Sequence, residues 1–250
     1  MKLQELLVTR ISEDVTPIAD LDKAISLIKD KCSDCIRLLK ARKFIYRGWG
    51  GKVDVDTINL VDPITRKSID TSNFYTLIFD NHPEMTEFPK RSKSLIASNN
   101  HISAGGYGWP TILIPFNGVK IGIVNNPDIW DVCCKIFNSN IDIKTMNLYF
   151  SYEFSDSSWT TFKSQLKNPR YKEELFNQLK NNYSIDITPD DRNLYDIVIE
   201  GYSPKVTGLT YCTTADSKLD KLARHKSEVW IGGTCLSVPR EMISEIISRI

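Results

Sequence analysis

The chain lacks long apolar runs, a charge excess and histidine-rich stretches. No apolar stretch reaches the roughly 18–20 residues that span a bilayer. Lys2, Gln4 and Glu5 interrupt the start too early for a signal peptide. A soluble, cytoplasmic protein with no membrane partner is therefore expected. The 32 Lys+Arg balance 31 Asp+Glu, a formal charge of +1, which excludes a wholly basic nucleic-acid binder but not a local basic groove. Three histidines occur, His82, His101 and His225, and none is spaced as a ligand pair. Six cysteines include one C-x-x-C, Cys32–Cys35, without a second pair to complete four zinc ligands. That pair sits in an apolar pattern of helical spacing, so buried thiols are expected and a metal is not.

What is present is ordinary for a globular chain: 250 residues, 41% apolar and 25% charged. Disorder, a collagen-like fibre and a disulfide-dense mini-protein are excluded. No repeat or Pro/Gly-rich linker divides the sequence, so a single domain over 1–250 is expected, with 1–42 as an N-terminal helical portion. Apolar spacing predicts a helix over 18–41, a strand at 43–48, loop from 48 to 70, and a helix at 71–79. A strand at 94–98, a helix at 100–107, and strands at 111–116 and 119–124 follow. Pro127 suits the first turn of a helix running to Phe137. The pattern then gives a helix at 159–182, a strand at 194–199 and a helix at 214–225. Strands at 228–231 and 234–238 precede a last helix from Pro239. Helices and short strands without strict alternation argue for an α+β fold.

Three polar positions stand out at strand ends. Arg47 closes the apolar run Phe44-Ile-Tyr-Arg beside Gly48, where a guanidinium fork suits phosphate or carboxylate. Ser98 closes Leu95-Ile-Ala-Ser and is equally placed to N-cap the next helix. Glu228 opens the strand Glu228-Val-Trp-Ile.

Strand–Arg, strand–Ser–helix–Tyr-Gly–strand and a late Glu opening a strand is the order of the Arg–Ser–Glu class of ADP-ribosyltransferases. The chain resembles the ADP-ribosyltransferase-like proteins common in tailed phages. The likeness lies in Tyr46-Arg47-Gly48, in Thr65-Arg66-Lys67-Ser68-Ile69-Asp70-Thr71 and in Arg91-Ser92 leading to Ile96-Ala97-Ser98. It continues in Tyr107-Gly108 before Thr111-Ile-Leu-Ile-Pro and in Ser227-Glu228-Val-Trp-Ile. It covers roughly 43–122 and 208–240 and implies a split mixed sheet with flanking helices.

By position, the resemblance makes Arg47 the grip on NAD, used as substrate. Tyr46, Gly48, Ser98 and Tyr107 then line the dinucleotide pocket. Ser98 braces Glu228, the catalytic carboxylate that stabilises positive charge at C1′ of the ribose. All of this requires Arg47, Ser98 and Glu228 in one cleft. Two departures bear on the acceptor. Lys226 stands where arginine-modifying members carry a second Glu, and the Ser-Thr-Ser triplet is reduced to Ala97-Ser98-Asn99. Arginine is therefore not the expected acceptor.

Basic residues gather near each motif: Arg37, Lys40, Arg42, Lys43 and Lys52 around the first, Lys90, Arg91 and Lys93 around the second, Lys218, Lys221, Arg224 and Lys226 around the third. Trp49, Trp109 and Trp230 could stack on bases there. Lys43, Arg91, Lys93, Lys221, Arg224 and Lys226 are accordingly candidate nucleic-acid contacts. The leading expectation is NAD-dependent ADP-ribosyl transfer to a protein or nucleic-acid acceptor by a bacterial or phage-encoded enzyme. The alternatives are a DNA glycosylase that excises a base with the same carboxylate in phage–host conflict or anti-phage defence, and a non-catalytic binding or virion-associated module.

Overall fold

The computed structural model describes residues 14–18, 20–50, 54–63, 74–136, 139–153, 158–183, 191–224 and 226–250. In chain order its elements begin with β1 (Asp14–Ile18), α1 (Leu21–Lys31), α2 (Ile36–Lys40), β2 (Ile45–Trp49) and β3 (Ile58–Asp62). Next come α3 (Phe74–Asn81), β4 (Leu95–Ser98), α4 (His101–Gly105), β5 (Trp109–Pro115) and β6 (Lys120–Val124). Then follow β7 (Cys133–Ile136), β8 (Ser139–Asp142), α5 (Ile143–Glu153), α6 (Trp159–Leu166), α7 (Pro169–Tyr183), α8 (Leu194–Gly201) and α9 (Pro204–Thr207). The chain closes with β9 (Leu209–Thr213), β10 (Glu228–Ile231), β11 (Cys235–Val238) and α10 (Ile243–Arg249). The fold mixes helices with one large antiparallel sheet.

The chain divides into two compact units, one made of 1–69, 87–128 and 210–250, the other of 70–86 and 129–209. The first holds the nine-stranded sheet, in the order β1-β3-β11-β5-β2-β4-β10-β6-β9. A mixed sheet is the expectation from sequence. The pairings of β1, β2, β3, β4, β5, β10 and β11 with their neighbours are instead antiparallel. Strands β2 and β5 share five register pairs, whereas β2 and β4 share only Tyr46↔Ser98, so the sheet parts between β2 and β4. On one face Ile112, Ile114, Leu236 and Val238 pack with Ala24, Ile25 and Ile28 of α1 and Ile243 and Ile246 of α10. On the other Ile45, Trp49, Leu95, Ala97, Leu113, Val229 and Ile231 form a second core.

The helix expected over 18–41 is three pieces. Asp20 caps α1 by accepting from Asp22 N, and the helix ends at Cys32. A 3-10 turn at Ser33–Cys35 follows, anchored where Asp34 N donates to Asn117 Oδ1 at 2.9 Å and Asn117 N to Lys31 O at 2.6 Å. Residues 14–18, at the expected helix start, pair instead as β1 with β3, which lies in the stretch expected to be loop. Buried Ile58 and Val61 hold β3 in the sheet.

In the second unit, buried Phe74, Phe150 and Phe162 pack tilted or edge-on at 5.1–6.2 Å between centroids and join α3, α5 and α6. The helix expected over 126–137 is a 3-10 turn at Ile129–Asp131 and then β7, in which Cys134 and Ile136 are buried and Cys133 and Lys135 exposed. That period of two fits a strand. The strand expected at 194–199 is helix α8. Asn193 Oδ1 accepts from Asp196 N at 3.0 Å, and Leu194, Ile197 and Val198 are buried at helical spacing. The apolar content was right and the period was not.

No helix among the described residues is long and apolar enough to cross a membrane. Cys32 and Cys35 lie under the sheet, their thiols 3.8 Å from Ile114 O and 3.5 Å from Pro115 O. Burial pushes both thiols up, Cys35 to about 12.

Candidate functional site

Three neighbouring central strands carry the three singled-out residues: β2 bears Arg47, β4 Ser98 and β10 Glu228. Register decides what they can do together. Ser98 lies directly opposite Glu228 on one side and opposite Tyr46 on the other. Cross-strand partners project to the same face, so Tyr46, Ser98 and Glu228 form one row. Ser98 ends β4 and Glu228 begins β10, which puts their pair at the margin of the sheet.

Arg47 is one residue off that row. Alternation carries its side chain to the other face, with Trp49 and Ile45. There it is 6% exposed, its guanidinium donates to Ile96 O across the parting between β2 and β4, and it stacks 4.8 Å from the Trp49 ring. The expected single cleft with Arg47, Ser98 and Glu228 is therefore not formed. Strand-end position was legible in sequence; a one-residue offset of register was not.

Glu228 has another cationic partner. Arg91, expected among the phosphate-facing lysines, is 5% exposed and donates to Glu228 Oε1 at 3.1 Å. Trp230 Nε1 donates to the same oxygen at 2.6 Å, and the Arg91 guanidinium lies 5.4 Å over the Trp230 ring. The carboxylate is thus held on two sides by groups of the same face. Gly122 makes room for Trp230, because a Cβ there would stand 3.2 Å from the indole.

Ser98 braces the backbone beside Glu228 and not its carboxylate. Its hydroxyl donates to Ser227 O at 3.1 Å and accepts from Asn100 N at 3.1 Å. Asn99 adds a clasp: Ser227 N donates to its Oδ1 at 2.8 Å, and its own N donates to Ser227 O at 3.2 Å. The cap of α4 is Asn100, which accepts from Ile102 N and Ser103 N, so Ser98 is not the N-cap.

Gly48 is indispensable for packing. A Cβ there would stand 2.1 Å from Ala104 O, so α4 docks on bare backbone. Gly108, at φ +126°, turns the chain from α4 into β5 with Trp49 O just as close. Tyr107 and Trp109 flank that turn and are 68% and 72% exposed, while Trp49 and Trp230 are core residues. Tyr46 is half-buried beside His101, ring centroids 5.9 Å apart, and burial pushes its phenol up.

The basic clusters separate by role. Arg37 binds Asp220 Oδ1 at 3.1 Å and the Thr214 and Asp216 carbonyls, and Lys43 Nζ donates to Asp220 O at 2.7 Å. These cations hold the turn after β9. Lys93 and Lys226 are exposed. The side chains of Lys221 and Arg224, and the whole of Lys52, His225 and 65–71, lie outside the described residues. No group of three His, Cys, Asp or Glu among the described residues could hold a metal ion.

No family model, no curated protein and no solved structure matches the chain.

Proposed function

We propose that the chain is an enzyme acting on an N-glycosidic bond, with Glu228 as the working carboxylate. The observation that carries this reading is the direct cross-strand pairing of Ser98 with Glu228 at the sheet margin, with Arg91 and Trp230 fixing the carboxylate. Breaking the bond sends its electron pair out with the base and leaves positive charge on the sugar. A preorganised carboxylate gains strength as that charge develops and needs little reorganisation to do so.

In the leading version NAD is the donor, nicotinamide the leaving base, and a protein or nucleic acid accepts ADP-ribose. The place of Arg47 argues against its carried-over part in that version, because a dinucleotide bound beside Glu228 lies on the other face from its guanidinium. The transferase reading therefore stands here without Arg47. That same observation favours a second version, excision of a base from DNA, which needs no dinucleotide grip. A non-catalytic module is the reading left if neither version holds.

Incubation with labelled NAD, and in parallel with plain and modified DNA, tests the proposal. Label transfer or nicotinamide release supports the first version, and abasic sites support the second. Absence of all three from well-folded protein contradicts the enzymatic reading.

A further inference from the structure

Beside the start of β2 and the end of β4, Arg42, Lys43, Tyr46 and Asn99, with apolar Leu38, Ile45 and Leu219, line an open pocket of about 120 Å³. Two of its lining side chains are cationic and none is acidic. The Asp220 carboxylate is engaged by Arg37 at 3.1 Å, and Lys43 is steadied by the Asp220 carbonyl at 2.7 Å. Arg42 is exposed, and its side chain makes no hydrogen bond or ion pair among the described residues, while its backbone N donates to Leu39 O at 2.9 Å.

The backbone of Arg42 is more telling. It follows α2 in the left-handed conformation, φ 54°, and Lys43 N closes the turn on Leu38 O at 2.9 Å. This is the helix-terminating position that glycine fills without strain, so an arginine there is held at a conformational cost. Strain of that kind is a pointer to use of the side chain.

We propose that this pocket binds a nucleotide phosphate, gripped by the Arg42 fork and the Lys43 ammonium. Tyr46 lies in one row with Ser98 and Glu228 and Asn99 follows Ser98, so the pocket takes over the anion-holding part expected of Arg47. That place in the reaction rests on the glycosidic-bond reading; the binding itself does not.

The test uses the full chain, with fluorescence anisotropy for a labelled single-stranded oligodeoxynucleotide and calorimetry for NAD. Arg42→Gly and Arg42→Asn keep a residue suited to the left-handed turn and remove the charge. Both should weaken whichever probe binds by about tenfold or more. The Arg42→Gly melting temperature should be unchanged or higher. NAD binding alone identifies a free dinucleotide as the source of the phosphate, and oligonucleotide binding alone identifies a strand, with a salt dependence that the variants flatten.

Glu228→Gln should bind as tightly as the natural chain. Binding lost only in the Arg42 variants, without base release from any substrate, keeps the pocket and removes the glycosidic reading. Unchanged affinity in both Arg42 variants, or no binding of either probe to the natural chain, overturns the proposal.

Discussion

Glu228 and Arg91 form a buried pair whose members depend on each other. Their side chains are 7% and 6% exposed, with Arg91 Nη2 3.1 Å from Glu228 Oε1. Removing one partner leaves the other charge buried without its main compensation, which typically costs about 3–5 kcal/mol. Arg91→Ala should therefore lower stability by that order in urea denaturation. A loss below about 1 kcal/mol would mean that water reaches the carboxylate and that the pair is not buried as described. Gly48 gives a second prediction at this scale. A methyl group 2.1 Å from Ala104 O cannot be accommodated without moving α4. Gly48→Ala should cost about 1–3 kcal/mol, as overpacking does, and the melting temperature reads it directly.

Among the elements, the end of α3 is tuned to neutral histidine. His82 is buried, Nε2 lies 2.7 Å from Ile199 O, and Nδ1 accepts from Glu84 N at 3.1 Å, which caps the following 3-10 turn. A ring that donates from Nε2 and accepts at Nδ1 is neutral. Protonation would put a hydrogen where the cap needs a lone pair, and burial lowers the pKa below its ordinary 6.5. With the folded-state pKa depressed, this stability is present in full above about pH 6.5 and declines as pH falls toward and through the folded value. Denaturation midpoints should drop as pH falls from about 6.5 to 5, and His82→Asn should flatten that slope. An identical slope in the variant would assign the effect to other groups.

Elements also show what the sequence could and could not reveal. Strands at Ile45–Trp49, Leu95–Ser98, Trp109–Pro115, Lys120–Val124, Glu228–Ile231 and Cys235–Val238 were legible because each is an apolar run bounded by turn residues. Strand β3 was hidden in a polar stretch and is a strand only through its pairing with β1 and β11. Helix α8 was hidden behind a β-branched run, and the Asn193 cap was the local signal that could have revealed it.

For the molecule as a whole, topology brought together residues that the chain keeps 130 positions apart, Ser98 and Glu228, as the order of motifs suggested. It separated Arg47 from them by one step of register, which no single-strand pattern encodes. It also gave Glu228 the partner Arg91, which the sequence marked as part of the stretch leading to Ser98 and as a candidate nucleic-acid contact, not as a partner of Glu228. Net charge near zero was equally silent about the local arrangement: Arg37 and Lys43 hold a turn, and Arg42 faces a pocket.

We propose that Glu228 stabilises charge on a sugar as its bond to a base breaks. The most direct measurement is the single-turnover rate of base release, nicotinamide from NAD or a nucleobase from DNA, by the natural chain and by Glu228→Gln at matched substrate saturation. Glutamine keeps the shape and reach of the side chain but not its charge. The rate should fall by roughly two or more powers of ten, about 3 kcal/mol, with substrate affinity nearly unchanged. Release at the natural rate by the folded Glu228→Gln protein would remove Glu228 from the chemistry and contradict the account.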